Sequence, residues 1–219
     1  MLNLIYKDIM LVKKENLLLL AYAVFIGVIG MVMPYNPGVL YSLAVFMMAY
    51  FAMLYNIGYD DRNNGYVIIS SLPVTRASIV ISKYLFLTAY TTFAWAVVSI
   101  ATNILPAFGI HAAVRTGNVS DLIVSLSAVI LFSSIYYPIY FKFGYVKMKM
   151  FSTVMYYIIL ISPSFIPKYL KTQQGTSFMR YLSSPSSCLK FEMYIFVAAI
   201  VFLIISVFLS INVYEKRDL

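Results

Sequence analysis

The sequence predicts an all-α integral membrane protein with six transmembrane helices, an N-terminal amphipathic interfacial helix, and a short cytoplasmic helix between spans 2 and 3. Hydrophobic residues make up 62% of the 219 residues, against roughly 45–50% in a soluble domain, and the mean hydropathy is +0.86. A helix needs about 20 mostly apolar residues to cross a bilayer. The chain contains six such runs, and its charged residues lie mainly in the links between them.

Turn-forming or charged residues bound the predicted spans. The first span ends at the turn from Pro34 to Gly38, and Pro163 interrupts the fifth near its end. Residues 17–219 are predicted to form one six-span domain, with spans at about 17–33, 39–59, 84–104, 122–141, 150–166 and 191–214.

Residues 1–16 precede the first span and have a helical pattern. Leu2, Ile5, Ile9 and Val12 recur at helical spacing, with polar residues elsewhere on the wheel. This pattern predicts a helix that lies on the membrane surface. The alternative is a merely charged flank of the first span.

The positions of Lys and Arg predict the orientation. With the N-terminus in the cytoplasm, eleven of the 16 basic residues fall on cytoplasmic segments and five on external ones. The positive-inside rule therefore places both termini, the link 60–83 and the basic turn 141–149 in the cytoplasm. This topology explains the net charge of +8 better than nucleic-acid binding does, because the basic residues are scattered.

The link from Asp60 to Lys83, here called the connector, is the main polar stretch on the predicted cytoplasmic side. Asp61 or Asn63 is placed to N-cap a short helix that carries Tyr66 and Ile69 on one face. The alternative for the connector is a solvated loop.

Pro73 is predicted to end this short helix, because the residue before a proline is pushed out of the helical region. Thr75 is a suitable N-cap for a second helix, which runs from Arg76 into span 3.

The sequence lacks the residue sets that catalysis or metal binding needs. Cys188 and His111 are the only residues of their types, which excludes an intrachain disulfide and a Cys or His metal cluster. Asp60 and Asp61 lie at the rim of span 2, where capping or partner contact is favoured over acid–base chemistry. No G-x-x-x-x-G-K-[ST] motif occurs. We therefore predict no catalytic residues and no metal site.

No charged residue is expected well inside a span, which argues against a proton relay. The hydroxyl residues Thr88, Thr92, Ser125 and Ser133 are among the polar positions within spans. They are predicted to form helix-packing faces, and the alternative is the lining of a conduit.

Two cytoplasmic segments resemble motifs of a known family. Ser71-Leu72-Pro73-Val74-Thr75-Arg76 resembles the connector of small six-helix permease subunits of type-2 ABC exporters. The segment from Pro138 to Gly144, with Lys147, resembles the second motif of the same group. The residues implied in coupling to an ATPase are Asp60, Asp61, Arg62, Tyr66, Ile69, Leu72, Pro73 and Arg76. The second cytoplasmic motif comprises Pro138, Phe141, Lys142, Phe143, Gly144 and Lys147.

The resemblance implies a multi-pass permease subunit in a bacterial cytoplasmic membrane. Its partners would be a cytoplasmic ABC ATPase subunit, a second permease subunit that is identical or related, and membrane lipids. ATP and Mg would be bound by the ATPase, so this chain would hold no cofactor. The connector would supply a helix that docks in a groove of the ATPase.

In size and in its small external part, the chain is similar to permeases of the phenol-soluble modulin exporter type. That similarity implies export of an amphipathic peptide or other hydrophobic cargo, which Met-rich and aromatic spans suit. An alternative from another class is a non-transporting membrane scaffold or self-protection protein that sequesters a toxic peptide. An intramembrane enzyme is disfavoured, because acid, base and metal constellations are lacking.

Overall fold

The computed structural model describes residues 2–13, 21, 37–63, 74–104, 118–145, 147–155, 157–158 and 185–216. Within these ranges every regular element is helical. Residues 147–155 are helical, and the longer helices are α1 Leu2–Lys13, α2 Pro37–Arg62, α3 Arg76–Ile104, α4 Val119–Phe143 and α5 Pro185–Glu215.

Four of these helices, α2 to α5, are long and apolar enough to cross a membrane. The shortest candidate span, Tyr41–Arg62, has 22 residues, which is about 33 Å at 1.5 Å per residue and exceeds the roughly 30 Å hydrocarbon core. The helices agree with predicted spans 2, 3, 4 and 6. The first predicted span, apart from residue 21, and most of the fifth lie outside the described residues.

Helix α3 begins at Arg76, where the second helix of the connector was predicted to begin, and it runs without a break into the span predicted from about residue 84. Thr75 is the N-cap, as predicted: its Oγ1 accepts a hydrogen bond from the Ser78 backbone N–H at 3.3 Å, and its carbonyl accepts one from Ile79 at 3.3 Å. The second half of the connector is therefore continuous with the span. Its first half, with Tyr66 and Ile69, lies outside the described residues.

Helices α4 and α5 also begin earlier than the hydropathy predicted. Asn118 precedes α4, and its backbone N–H donates to the Asp121 carboxylate at 2.9 Å, which moves the start back to Val119. Helix α5 begins at Pro185, six residues before the predicted span, where proline suits the first helical position. A hydropathy count therefore misses the start of a helix whose first turn is polar.

The core lies between α2, α3, α4 and α5. The larger cluster of buried side chains includes Met53, Ile57, Tyr84 and Tyr137, and the rings of Tyr84 and Tyr137 meet edge to face at 4.7 Å. The most extensive helix contact is between α4 and α5. Such aromatic pairs fix the relative position of the helices that carry them.

Helix α1 packs against α2 and α3. Asp8 and Val12 are its buried positions, and Leu4 packs partly buried against the core, so the packed face has a spacing of four residues. Ile9, predicted on the apolar face, is 45% exposed. The helix is thus held through Asp8 as well as through apolar contacts, and its location at the membrane surface stays a prediction.

One end of the bundle gathers the segments that the Lys and Arg count assigns to the cytoplasm. Helix α1, the end of α2 and the start of α3 meet there through Lys83 and its partners. The end of α5 joins them through Arg76. The start of α2 and the end of α3 meet elsewhere, where the Tyr41 hydroxyl donates to the Trp95 carbonyl at 3.1 Å.

Candidate functional site

A buried group of charged and amide side chains, here called the ionic cluster, lies where the connector joins α3. Lys83 Nζ is 3.1 Å from Asp8 Oδ1 and 2.5 Å from Asp60 Oδ2, and it also donates to the Asn56 side chain. Lys7 Nζ is 2.8 Å from Asp60 Oδ1 and 3.3 Å from Asp8 Oδ1. The cluster therefore joins α1, α2 and α3.

The cluster satisfies the chemical requirements of buried charge. The side chains of Lys83 and Asp8 are 6% and 1% exposed, and burying a charge is costly unless it is paired and hydrogen-bonded. The Lys83 ammonium has three N–H donors, and three oxygens accept them. Two cations and two carboxylates balance, so the cluster is neutral as a whole.

The ionic cluster corrects two expectations from the sequence. A charged residue does lie within a candidate span, since Lys83 is two turns inside α3. Asp60, expected to cap a helix or contact a partner, is 8% exposed and bonded within the cluster. Asp61 beside it is half-buried, and Arg62 is exposed.

Residues Lys83 and Tyr84 also contact the remaining helices. The Lys83 carbonyl accepts a hydrogen bond from the Tyr137 hydroxyl of α4 at 3.3 Å. The Tyr84 hydroxyl is 2.6 Å from Ser206 Oγ and 3.0 Å from Ser210 Oγ, both on α5. The first turns of α3 are thus bonded to α1, α2, α4 and α5.

Arg76, the first residue of α3, binds the C-terminal end of α5. Its Nη1 donates to the Glu215 carbonyl at 2.8 Å and to the Tyr214 carbonyl at 3.2 Å, and its guanidinium lies 6.0 Å from the Tyr214 ring centroid. A cation at this position complements the helix dipole and satisfies carbonyls that lack partners in the helix. The structure therefore gives Arg76 an internal contact in addition to its predicted coupling role.

The second cytoplasmic motif forms the end of α4. Pro138 lies within the helix, and Phe141 is buried. Gly144 ends the helix with φ 77° and ψ 176°, a region of backbone space that is essentially restricted to glycine. The exposed cations Lys142 and Lys147 lie 5.4 and 5.7 Å from the Phe143 ring centroid.

The four hydroxyl residues predicted to form helix-packing faces within spans are bonded to their own helices. Thr88 donates to the Leu85 carbonyl at 3.0 Å, and Thr92 to the Ala89 carbonyl at 2.7 Å. Ser125 and Ser133 are buried and donate to carbonyls in α4 at 2.8 and 3.0 Å. Burial favours the packing role for the two serines, whereas Thr92 is exposed.

Several predicted site residues cannot be placed in this geometry. Tyr66, Ile69, Leu72 and Pro73 lie outside the described residues. Where the chain is described, no group of three or more His, Cys, Asp or Glu side chains is arranged to hold a metal ion.

The sequence contained a weak signal for the ionic cluster. Asn56 and Asp60 are four residues apart on α2 and therefore share a helix face. Their partner Lys83 and the Lys7–Asp8 pair are far away in sequence, and local periodicity carries no information on such pairing.

A family model described as an ABC-2 family transporter protein matches residues 3–215. The chain belongs to the ABC-2 transporter family. Searches of curated proteins and of solved structures gave no match. As an ABC-2 permease, the protein is the membrane component of a transporter and not its nucleotide-binding domain. Membership in this family implies association with an ABC ATPase partner.

Proposed function

We propose that this ABC-2 permease is the transmembrane subunit of an ATP-driven exporter, and that its ATPase moves it through the connector. The cargo is an amphipathic peptide or another hydrophobic molecule. Family membership supports the transporter role. The observation that carries the proposed mechanism is the bonding of Lys83, at the end of the connector and in the first turns of α3, to α1 and α2.

The ionic cluster gives the connector a mechanical connection to the bundle. Separating Lys83 from Asp8 and Asp60 would leave buried charges unpaired, which costs about 3–5 kcal/mol for a buried pair. The contact of Arg76 with the end of α5 is worth only about 0.3–1 kcal/mol. A displaced connector therefore moves α1, α2 and the start of α3 together, and α3 separates from the α5 end first.

The spans favour a cargo with an apolar face. In the described parts of α3 and α4, the hydroxyls of Thr88, Thr92, Ser125 and Ser133 are bonded to their own backbone. The charges of the ionic cluster are compensated within the cluster. Such an interior has little with which to bind a strongly ionic cargo, whereas Met and aromatic side chains adapt to apolar surfaces.

The proposed assembly is a bacterial cytoplasmic-membrane complex of two ATPase and two permease subunits, with both termini of the permease in the cytoplasm. Three segments lie together on one side of the bundle: α1, the start of α3 and the end of α5. Their common location supports this orientation. Helix α5 exposes apolar side chains such as Val201, Ile204 and Phe208. That surface is available to a second permease subunit or to lipid.

Co-expression with the cognate ATPase tests the proposal. We expect the two proteins to co-purify, and a charge or proline substitution at Tyr66 or Ile69 to abolish co-purification without affecting membrane insertion. The conservative variants Tyr66→Phe and Ile69→Val serve as matched controls and should retain the complex. Disruptive variants that bind the ATPase with wild-type affinity would show that the connector is not the coupling element.

A further inference from the structure

A small cavity lies at the C-terminal end of α2, apart from the ionic cluster. Its volume is about 190 Å³. Five of its lining residues belong to α2 and one follows the end of α4: Leu54, Tyr55, Gly58, Tyr59, Arg62 and Tyr145. Gly58 makes the close approach of Tyr145 feasible, because a Cβ on residue 58 would lie 3.0 Å from the Tyr145 hydroxyl.

The lining of the cavity changes from apolar to cationic along α2. Leu54 and Arg62 are eight positions apart, which is about 12 Å along the axis at 1.5 Å per residue. The rings of Tyr55 and Tyr59, 6.3 Å apart, stand between them. Arg62 is exposed and forms no ion pair with any residue that the structure describes. Asp61, the neighbouring carboxylate, does not line the cavity.

The chain around Tyr145 adds positive charge and apolar surface at the same level. Lys142, Lys147 and Lys149 are exposed, and residues 141–155 contain no Asp or Glu. The helical residues beyond them expose Met150 and Val154, at 77% and 57%. Cations and aromatic rings at the end of an apolar surface are typical of a membrane interface.

We propose that this cavity binds an anionic phospholipid. The phosphate accepts hydrogen bonds from the Arg62 guanidinium, the tyrosine rings contact the glycerol region, and the start of an acyl chain lies against Leu54. The cavity matches an anionic phospholipid in its charge and in its position. The cationic end of the cavity is at the end of a candidate span, where lipid headgroups lie, and the apolar end points towards the hydrocarbon. The proposal does not depend on what the permease transports.

Binding to the purified full-length chain in neutral detergent tests the site, with bound lipids counted by native mass spectrometry. The probes are phosphatidylglycerol and, as the comparison without net charge, zwitterionic phosphatidylcholine, whose choline cation offsets the charge of its phosphate. We expect tighter binding of phosphatidylglycerol, and about fivefold weaker binding in Arg62→Gln, which corresponds to one basic residue at an anionic surface. Arg62→Lys should restore most of the affinity. Glycerol 3-phosphate should not compete, because it lacks the acyl chain.

Lys190→Gln is the matched control, because Lys190 is an exposed cation at the N-terminal end of α5, away from this cavity. It lowers the net charge by the same amount and should bind phosphatidylglycerol like the wild type. If both variants lost the same affinity for phosphatidylglycerol, the effect would come from net charge alone, and the proposal would be overturned. Unchanged lipid binding in Arg62→Gln would also overturn the proposal. Weaker ATPase association in the same variant would then assign Arg62 to the ATPase interface.

Discussion

The substitution Lys83→Met removes the central cation of the ionic cluster while keeping a side chain of similar length. It leaves Asp8 and Asp60 with Lys7 alone, so the cluster carries one net negative charge in a site where Asp8 is 1% exposed. Removing one partner of a buried ion pair costs about 3–5 kcal/mol. We expect that loss in the free energy of unfolding.

The measurement is an SDS titration of the purified permease in mixed micelles, followed by far-UV circular dichroism. Lys7→Met is the matched control, because the Lys7 side chain is 33% exposed and water can replace it at the rim. Its expected cost is about 0–1 kcal/mol.

A third variant separates charge from packing. Combining Lys83→Met with Asp8→Asn and Asp60→Asn removes the uncompensated carboxylates. Replacing a buried ion pair by apolar residues of similar volume is often close to neutral, whereas the two Asn amides still need hydrogen-bond partners. We expect this variant to recover roughly half or more of the lost stability. If Lys83→Met costs no more than Lys7→Met, the cluster does not hold the three helices together.

Three further substitutions test individual contacts. Arg76→Gln should cost about 0.3–1 kcal/mol and increase amide hydrogen exchange at the end of α5, because the last carbonyls lose a cationic donor; Arg76→Lys should restore protection, and unchanged exchange would refute the contact. Gly144→Ala should cost about 1–3 kcal/mol in the SDS titration, because φ 77° with ψ 176° is strained for alanine, and a neutral result would contradict that geometry. Gly58→Ala should be better tolerated in a Tyr145→Phe background than in the wild type, because the hydroxyl 3.0 Å from the new Cβ is then absent; additive effects would argue against the close approach.

Much of the described fold followed from hydropathy and capping chemistry. Four predicted spans correspond to α2, α3, α4 and α5, and Thr75 caps α3 as expected. The start of α3 at Arg76 also agrees with the predicted cap. Errors concentrate at the starts of α4 and α5, because their first turns contain polar residues and a hydropathy count excludes them. The resemblance to ABC permeases is confirmed for the chain at the level of the ABC-2 family, whereas the roles of the two motifs stay predictions.

The ionic cluster was not predictable in the same way. Lys83 was predicted only as the last residue of the connector before span 3, yet it is buried because α1 supplies Asp8 from 75 positions away. Its partner Asp60 appeared to be a surface carboxylate for the same reason. Pairing between distant helices depends on how they pack, and a single sequence contains no local pattern for it.

Arg76 shows a different limit of sequence reasoning. Its place at the head of α3 was predicted, but its contact with the carbonyls of α5 spans 139 positions. The resemblance suggested only its exposure to an ATPase. The structure adds that Arg76 connects the first turn of α3 to the last turn of α5. A substitution there therefore changes the packing of the bundle as well as any coupling surface.

Transport by the reconstituted complex tests the central claim most directly. Inside-out vesicles that carry the permease and its ATPase are given a fluorescently labelled amphipathic helical peptide and ATP, and luminal accumulation is measured. We expect accumulation with the wild-type ATPase and none when ATP hydrolysis is blocked by mutation of that ATPase. Peptide retention that persists at the same level with the hydrolysis-deficient ATPase would contradict driven export and favour a sequestering scaffold.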